Sequence, residues 1–156
     1  MNKMIEIYTD GSSLGNPGRG GYGIVVVEKE KVIQELGGFE KETTNNRMEL
    51  KAVIEALKYI PTRQDLVEII IHADSAYVLG GVTTWIHNWE KNGWKTANKK
   101  EVLNQDLWKE LIASVRNFKG NLSWQKVKGH SGHIYNERAD VIATECSSLQ
   151  KSHIHK

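Results

Sequence analysis

The stretch EIYTDGSSLGNPGRGGYGIVV, residues 6–26, places an aspartate at the end of a strand-like run and follows it with glycines and a proline. Ile5, Ile7 and Thr9 alternate along this run, which is typical of a strand. An Asp-Gly pair after such a run is ordinary turn chemistry, and a turn alone would explain Asp10. A functional role for this carboxylate requires that other acidic side chains lie at the same edge of the sheet.

The length and composition are those of one globular domain. The chain has 156 residues, of which 39% are hydrophobic, enough for a core without crosslinks. The net charge is +2, so any sign of nucleic-acid binding must come from local clustering. The single cysteine, Cys146, excludes an intrachain disulfide and a cysteine-rich zinc site. No apolar run approaches membrane-spanning length, and we expect a cytoplasmic protein that does not contact a membrane.

The hydrophobic pattern predicts the element order βββαβααβα. Three strands come first, at residues 4–10 and in a hairpin over 21–42. The remaining elements are a helix that begins at Asn46 as N-cap and stops at Pro61, a buried strand at 66–74, a helical segment at 75–94, a helix at 104–118, a strand at 122–129 and a helix at 136–149.

Two features of this pattern are less regular. The helical segment 75–94 is expected to break at Gly80-Gly81 and at Gly93. The terminal residues 147–156 are expected to form a flexible tail. Strands alternating with helices after an initial hairpin indicate an α/β fold with a mixed sheet.

Three further acidic residues join Asp10 as candidates for a site. Each has a local explanation: Glu49 could complete a capping box, Asp74 could cap the next helix, and Asp140 could pair with Arg138 or with a lysine. Asp10 and Asp74 both end strands of what must be one sheet, and ligands of α/β sheets gather at strand ends. The joint pattern therefore favours a shared carboxylate site.

Four carboxylates without a cysteine or histidine quartet form an oxygen-ligand set. Such a set suits Mg²⁺ or Mn²⁺ rather than zinc. Because magnesium usually works together with substrate phosphates, the set indicates phosphate-ester chemistry. Two ions about 3.5 to 4 Å apart would activate a water and stabilise the leaving oxygen.

Five blocks of the sequence, in the same order, resemble the signature blocks of type 1 ribonuclease H over roughly residues 4–146. They are YTDGSSLGNPGRGGYG (8–23), TTNNRMELKAVIEAL (43–57), ADSAYV (73–78), WIHNWEKNGWKTANKKEVLNQDLW (85–108) and VKGHSGHIYNERAD (127–140). The resemblance implies one ribonuclease H domain over residues 1–146 with a five-stranded mixed sheet in the order 3-2-1-4-5. It also implies a monomeric, two-metal endonuclease that cuts the RNA strand of an RNA–DNA hybrid and leaves 3′-hydroxyl and 5′-phosphate ends.

The resemblance also assigns the residues of the catalytic site. Asp10, Glu49, Asp74 and Asp140 match the metal-binding carboxylates. His130 matches a histidine that handles protons, in a loop that Gly129 and Gly132 would make mobile. A zinc site of His130 and His133 is excluded because no third or fourth ligand is at hand.

A second group of residues would bind the substrate. Family members use positions such as Asn16, Asn45 and Asn46, all in turns or caps, to contact the RNA strand, and an amide can both donate to and accept from a 2′-hydroxyl group. Thr44 and Asn104 match a pocket for a phosphate of the DNA strand. The chain departs from the family pattern beside this pocket, because it carries Glu42 where bacterial relatives often have arginine.

The segment around residues 82–101 combines tryptophans with lysines. Trp85, Trp89 and Trp94 could simply pack inward on an amphipathic helix with solvated lysines outside. Four lysines without an acid between residues 91 and 100 nevertheless make a local positive patch: Lys91, Lys95, Lys99 and Lys100. The segment resembles the basic protrusion with which bacterial type 1 enzymes hold the phosphates of the hybrid, and the resemblance implies that Trp85 and these four lysines bind the substrate.

Two rival functions remain open from the sequence. One is a catalytically silent module that binds hybrids or double-stranded RNA, although such a binder gains nothing from four acids near phosphates. The other is a two-metal nuclease or integrase of related fold with another substrate. The three asparagines and the basic protrusion favour the hybrid.

Overall fold

The computed structural model describes residues 3–60, 67–127 and 133–155. Its strands are β1 (Lys3–Ser13), β2 (Gly18–Glu28), β3 (Lys31–Thr43), β4 (Val67–Ala73), β5 (Asn121–Lys126) and β6 (His153–His155). Its helices are α1 (Asn45–Tyr59), α2 (Ala76–Gly80), α3 (Ile86–Asn92), α4 (Gln105–Asn117) and α5 (Ile134–Leu149), and a π-helical turn (Gly81–Trp85) joins α2 to α3. The α/β class predicted from the pattern is confirmed.

The strands form one mixed sheet in the order β5-β4-β1-β2-β3-β6. The central strand β1 runs antiparallel to β2 and parallel to β4, and β4 runs parallel to β5. The expected order 3-2-1-4-5 is confirmed for the first five strands, and β6 adds a sixth at the β3 edge. Asp10 lies opposite Gly23 of β2, and the preceding Thr9 lies beside Ala73 at the end of β4. The register thus brings Asp10 and Asp74 to the same edge of the sheet.

Both faces of the sheet are covered, and side chains of β1 alternate between them. Ile5 and Ile7 pack with Leu50 of α1 and the fully buried Trp108 of α4 in the larger core. Tyr8 points the other way, into a smaller core with residues of α5. None of the described helices is both long enough and apolar enough to cross a bilayer.

Helix α5 rests on glycines of β2. A Cβ atom on Gly23 would overlap the carbonyl oxygen of Ala139, and one on Gly21 would lie 2.6 Å from the backbone nitrogen of Ser147. Because no side chain separates the helix from the sheet, the backbone of α5 lies directly on β2. Asp140, next to Ala139, is thereby held close to the end of β1.

The predicted break at Gly80-Gly81 is wrong. The chain stays helical from Ala76 to Asn92, and only its hydrogen-bond spacing widens to a π-helical turn at Gly81–Trp85. A Cβ atom on Gly81 would overlap the ring of Trp108, so this glycine makes room for an aromatic side chain. The predicted break at Gly93 is present, since this residue has φ of 76° and donates its N–H to the carbonyl of Trp89.

The flexible tail predicted over residues 147–156 is wrong for the part that the structure describes. Helix α5 continues to Leu149, and His153–His155 pair with β3 as β6. His153 Nε2 lies 2.9 Å from Oε1 of Glu35, whose carboxylate also accepts two hydrogen bonds from Arg138, at 2.8 and 3.0 Å. A buried ion pair on β3 therefore anchors both α5 and the end of the chain.

Glu35 should make the fold sensitive to acid. Its pKa is lowered to about 2, mainly by the hydrogen bond from Arg138 and also by the one from His153. A lowered pKa stabilises the fold above the unfolded value near pH 4.3, and this contribution is lost as the pH falls toward 2. Glu35→Gln should cost about 1 to 3 kcal/mol of unfolding free energy at pH 7, from about 1.4 kcal/mol for each pKa unit.

Urea unfolding of the wild type and Glu35→Gln between pH 2 and pH 7 tests this expectation. The two proteins should converge as the pH approaches 2. The matched control is Glu42→Gln, which removes an exposed carboxylate from the same strand. A constant difference between wild type and Glu35→Gln across this range would contradict the assignment.

Candidate active site

Helix α1 touches β1 at Gly11, the residue after Asp10. A Cβ atom on Gly11 would overlap the backbone nitrogen of Glu49 and press on the backbone of Met48. Glycine permits this close approach because it has no side chain. The contact sets Glu49 beside Asp10, where burial raises the pKa of the Glu49 carboxyl and the nearby backbone N–H of Gly11 partly offsets this effect.

The predicted N-cap of α1, Asn46, is wrong. Thr44 is the cap, and its Oγ1 accepts a hydrogen bond from the backbone N–H of Arg47 at 3.2 Å. Arg47 therefore occupies the capping-box position that the sequence assigned to Glu49. Glu49 is only 9% exposed, and its Oε2 has no hydrogen-bond partner among the described residues. The capping explanation for this carboxylate does not hold, and its unpaired oxygen is free to bind a ligand.

Asp74 is likewise not needed as a helix cap. Ser75 caps α2, with its Oγ accepting a hydrogen bond from the N–H of Val78 at 3.2 Å. Asp10, Glu49 and Asp74 each place one carboxylate oxygen within 4.8 Å of the others. The end of β1, the second turn of α1 and the end of β4 thus supply one cluster.

Asp140 approaches the same cluster from α5. Its local alternative, a salt bridge with Arg138, does not form, because Arg138 binds Glu35. Asp140 lies close enough to raise the pKa of Asp10, and it lies outside the tight group of three, at the exposed rim.

The electrostatics of the cluster favour a cation. Burial raises the pKa of Asp10, and the charges of Glu49, Asp140 and Asp74 raise it further. Burial also raises the pKa of Glu49, and the charge of Asp74 adds to the shift. In the absence of a counter-charge these carboxyls hold protons, so a divalent cation would bind in exchange for protons. The donor set of carboxylate oxygens fits a hard divalent ion.

A cavity of about 530 Å³ opens over the cluster. Two of its lining residues, Asn136 and Glu137, received no role in the sequence analysis. Asn136 Oδ1 is buried and has no hydrogen-bond partner among the described residues. The sequence could have indicated both residues. Asn136 and Glu137 lie four and three residues before Asp140, and positions so spaced share one face of a helix.

Comparisons with known proteins identify the family. The family model described as RNase H matches residues 2–148. The chain belongs to the ribonuclease H family. It is 52% identical to the ribonuclease HI of Neisseria meningitidis serogroup B over 143 residues, covering 92% of this chain and 94% of that one. It is 50% identical to the ribonuclease H of Thermosynechococcus vestitus over 150 residues, covering 96% and 92%.

A solved structure agrees with these relatives. LC9-RNase H1, described as a type 1 RNase H with the type 2 active-site motif, superposes with a TM-score of 0.86 at 30% identity, covering 100% of this chain and 78% of that one. The resemblance to type 1 ribonuclease H that the sequence blocks predict is confirmed. Enzymes of this family are metal-dependent endonucleases that cut the RNA strand of RNA–DNA hybrids.

The three asparagines predicted to contact RNA lie at one side of the ribonuclease H cavity. Asn45 and Asn46 line it together with the carboxylates. Asn16 lies next to them, since its Oδ1 accepts a hydrogen bond from the backbone N–H of Asn45 at 3.3 Å. Ser13, which the sequence analysis left out, places its hydroxyl 3.2 Å from Oδ1 of Asn16 and 3.1 Å from Oδ1 of Asn45. One loop and the first turn of α1 therefore form a single polar surface.

Thr44 and Asn104, the predicted phosphate pocket, are connected through Arg47. The backbone N–H of Arg47 donates to Thr44, and its Nη1 donates to Asn104 Oδ1 at 3.2 Å. Nη1 and Nη2 of Arg47 also donate to the carboxylate of Asp106, at 3.0 and 2.7 Å. The pocket is thus held by a salt bridge between α1 and α4, and Glu42 is exposed beside it at the end of β3.

The basic protrusion, residues 82–101, contains both packed tryptophans and a patch of lysines, which the sequence offered as alternatives. Trp89 packs against Trp85, Trp94 and Trp108 with ring centroids 6.0, 5.7 and 5.3 Å apart. Lys91, Lys99 and Lys100 are exposed, whereas Lys95 is half-buried and forms a salt bridge with Glu101 at 3.0 Å. Trp89 and Trp94 are half-buried behind the lysines, whereas Trp85 is 41% exposed beside them. The remaining predicted site residue, His130, lies outside the described residues.

Proposed function

We propose that the chain hydrolyses the RNA strand of RNA–DNA hybrids at the cluster of Asp10, Glu49, Asp74 and Asp140. The proposed cofactors are two Mg²⁺ ions, for which Mn²⁺ can substitute, and the proposed products carry 3′-hydroxyl and 5′-phosphate ends. The observation that carries the proposal is the convergence of three carboxylates, from β1, α1 and the residue after β4, within 4.8 Å in a chain of this family.

The carboxylates differ in what they can do. Asp10 and Glu49, 8% and 9% exposed, would hold a cation at the floor of the cavity, where little water competes. Asp74 and Asp140 are exposed and would meet the ions together with the substrate phosphate. When bound, a pair of such cations supplies an activated water and stabilises the leaving oxygen in an in-line displacement.

The neighbouring side chains would orient the substrate and move protons. Amides of Asn16, Asn45 and Asn46 suit the 2′-hydroxyl groups, which distinguish RNA from DNA. Thr44 and Asn104 would hold a phosphate of the DNA strand, with Glu42 weakening that contact. His130 is proposed to handle a proton during water activation or product release. Since one chain supplies all four carboxylates, we also propose that the protein acts as a monomer, in the cytoplasm.

Cleavage of three matched duplexes tests the proposal. An RNA–DNA hybrid, an RNA duplex and a DNA duplex of one sequence are incubated with and without Mg²⁺, and the ends of the products are mapped. We expect internal cuts in the RNA strand of the hybrid alone, with Mg²⁺ only. Binding without cleavage would indicate a silent binding module, and cleavage of the DNA duplex would indicate a nuclease of another specificity; either result overturns the proposal.

Lysines of the basic protrusion should supply affinity rather than chemistry. Each lysine that contacts a phosphate should contribute up to about 0.9 to the slope of log affinity against log salt. Changing Lys91, Lys95, Lys99 and Lys100 to glutamine should therefore flatten the slope and raise KM, while kcat stays nearly unchanged. Hybrid affinity measured in Ca²⁺ at several salt concentrations provides the test.

The salt bridge in the basic protrusion allows a matched comparison. Because Lys95 already pairs with Glu101, Lys95→Gln should reduce the slope less than Lys91→Gln. Parallel salt lines for the wild type and the fourfold variant would eliminate the basic protrusion as a binding element.

A further inference from the structure

Three aromatic rings stack on the α5 side of the sheet, below the carboxylates. Tyr8 of β1 and His72 of β4 are neighbours in register, and their rings lie 4.3 Å apart and 5° from parallel. His133 stacks on Tyr8 at 4.9 Å and 26°, with its Nε2 3.4 Å from the tyrosine oxygen. Tyr8 and His72 are 3% and 8% exposed, and His133 forms the exposed end. We call these three residues the ring stack.

Each ring belongs to an element that carries one carboxylate of the cluster. Tyr8 and His72 each precede an aspartate by two residues, Asp10 and Asp74, and residues two apart in a strand share a face. His133 is the N-cap of α5 and precedes Asp140 by seven residues, which is two helical turns. The ring stack therefore connects three of the four elements that supply carboxylates to the cluster: β1, β4 and α5.

Hydrogen bonds hold the ring stack from both ends. On the sheet side, His72 Nε2 lies 3.0 Å from Oε1 of Glu6. On the helix side, His133 Nδ1 accepts from the backbone N–H of Tyr135, whose hydroxyl donates to the carbonyl of Glu30 at 2.9 Å. The first turn of α5 is thus tied to β1, β4 and the turn between β2 and β3.

The surface beneath α5 offers few side-chain contacts that could fix the position of the helix along its axis. Gly21, Gly23 and Gly37 face the helix and offer it no side-chain ridges. Ridges fitted into grooves normally fix the position of a helix along its partner, and a glycine surface lacks them. Two attachments can then fix the axial position of α5: the ion pair of Arg138 with Glu35 on β3, and the ring stack at the N-terminal end of the helix.

We propose that the ring stack acts with the Arg138–Glu35 ion pair to set α5 along its axis, and so brings Asp140 toward Asp10. Tyr8, His72 and His133 are positioning residues, and they act through the carboxylates. The inference rests on the proposed function, because it takes Asp140 as part of the metal site.

Two substitutions of His133 separate stacking from capping. His133→Asn keeps a side-chain acceptor for the N-cap and removes the ring, whereas His133→Phe keeps the ring and removes the acceptor. Because His133 is exposed, neither change leaves a buried cavity. The control is His155→Asn, the same change at an exposed histidine of β6.

Mn²⁺ affinity by titration calorimetry is the primary measurement, with kcat and KM on the hybrid as the second. We expect His133→Asn to weaken Mn²⁺ binding and to lower kcat at fixed metal by about 10-fold, the lower end of the loss seen for groups that orient metal ligands. KM should not change, and His133→Phe and His155→Asn should resemble the wild type.

Wild-type Mn²⁺ affinity in His133→Asn would overturn the inference. A loss in His133→Phe alone would assign the effect to the cap, and equal losses in the two variants would assign it to the imidazole nitrogens rather than to stacking; either result would also overturn the inference. Because calorimetry requires no substrate, a wild-type protein that binds Mn²⁺ but does not cut hybrids would defeat the proposed function and leave this test valid.

Discussion

Asp10→Asn should abolish cleavage of the hybrid and raise the melting temperature of the metal-free protein. The amide keeps the shape of the side chain but removes a charge that burial and three neighbouring acids disfavour. Substitution of residues that orient metal ligands typically lowers metal affinity or activity by about 10- to 100-fold. Asp10 would bind the metal directly, so we expect turnover of Asp10→Asn to fall by more than about 100-fold.

The pH dependence of stability follows from the same charge. The pKa of Asp10 is raised on folding, so the metal-free native state binds a proton that the unfolded chain releases near pH 4. This proton makes its full contribution to the unfolding free energy below about pH 4, and the contribution is lost as the pH rises toward the pKa of Asp10 in the folded protein. Asp10→Asn should flatten this decline, and melting temperatures in EDTA from pH 4 to pH 9 measure it.

Metal and a second aspartate supply the controls. Mn²⁺ should raise the melting temperature of the wild type and have little effect on Asp10→Asn. Asp106→Asn should have the opposite effect on stability, because Arg47 lowers the pKa of Asp106 and stabilises its charge. Near wild-type cleavage by Asp10→Asn would refute the assignment of the site.

Gly11→Ala should damage both the fold and the site. A Cβ atom there overlaps the backbone of α1 at Glu49, and backbone atoms cannot rotate aside as a long side chain can. Overpacking of this kind costs about 1 to 3 kcal/mol of unfolding free energy. Since α1 must move away from β1, Glu49 moves away from Asp10, and a displacement of about 1 Å can cost 100-fold in rate.

Urea unfolding and turnover of Gly11→Ala are compared with Gly15→Ala in the following loop. An alanine Cβ at Gly15 would meet its nearest atom, the carbonyl oxygen of Pro17, at 3.1 Å, so a small adjustment suffices. We expect Gly15→Ala to keep most of its stability and kcat. Wild-type stability and kcat in Gly11→Ala would show that α1 does not depend on this contact for its position.

The sequence was sufficient for the central part of the fold and for the members of the cluster. Alternation up to Asp10 and an isoleucine-rich run up to Asp74 located two neighbouring strands, and strand order came from the family resemblance. The predicted end of the first strand at Asp10 was wrong, because pairing with the glycines of β2 continues β1 to Ser13. The N-cap of α1 was wrong because Thr44, Asn45 and Asn46 are all good capping residues in a row. Local chemistry could not choose among them, whereas the contact at Gly11 fixes where the helix starts.

Non-local contacts explain the other differences. Gly80 and Gly81 have the propensity to end a helix, yet packing of Trp108 against Gly81 requires a helix there. The last residues have no apolar pattern, and β6 forms through pairing with β3 and through His153 binding Glu35. Tyr8 and His72 read as ordinary strand residues, because their stacking depends on the register of β1 against β4.

The short strand β6 also has a consequence for the behaviour of the protein in solution. It occupies hydrogen-bonding positions of β3 opposite Glu35, Leu36 and Gly37, which would otherwise form part of an open sheet edge. An uncovered edge is a template for pairing with another copy of the chain. A protein shortened before His153 would present that template, so self-association would limit its solubility even with every catalytic side chain in place.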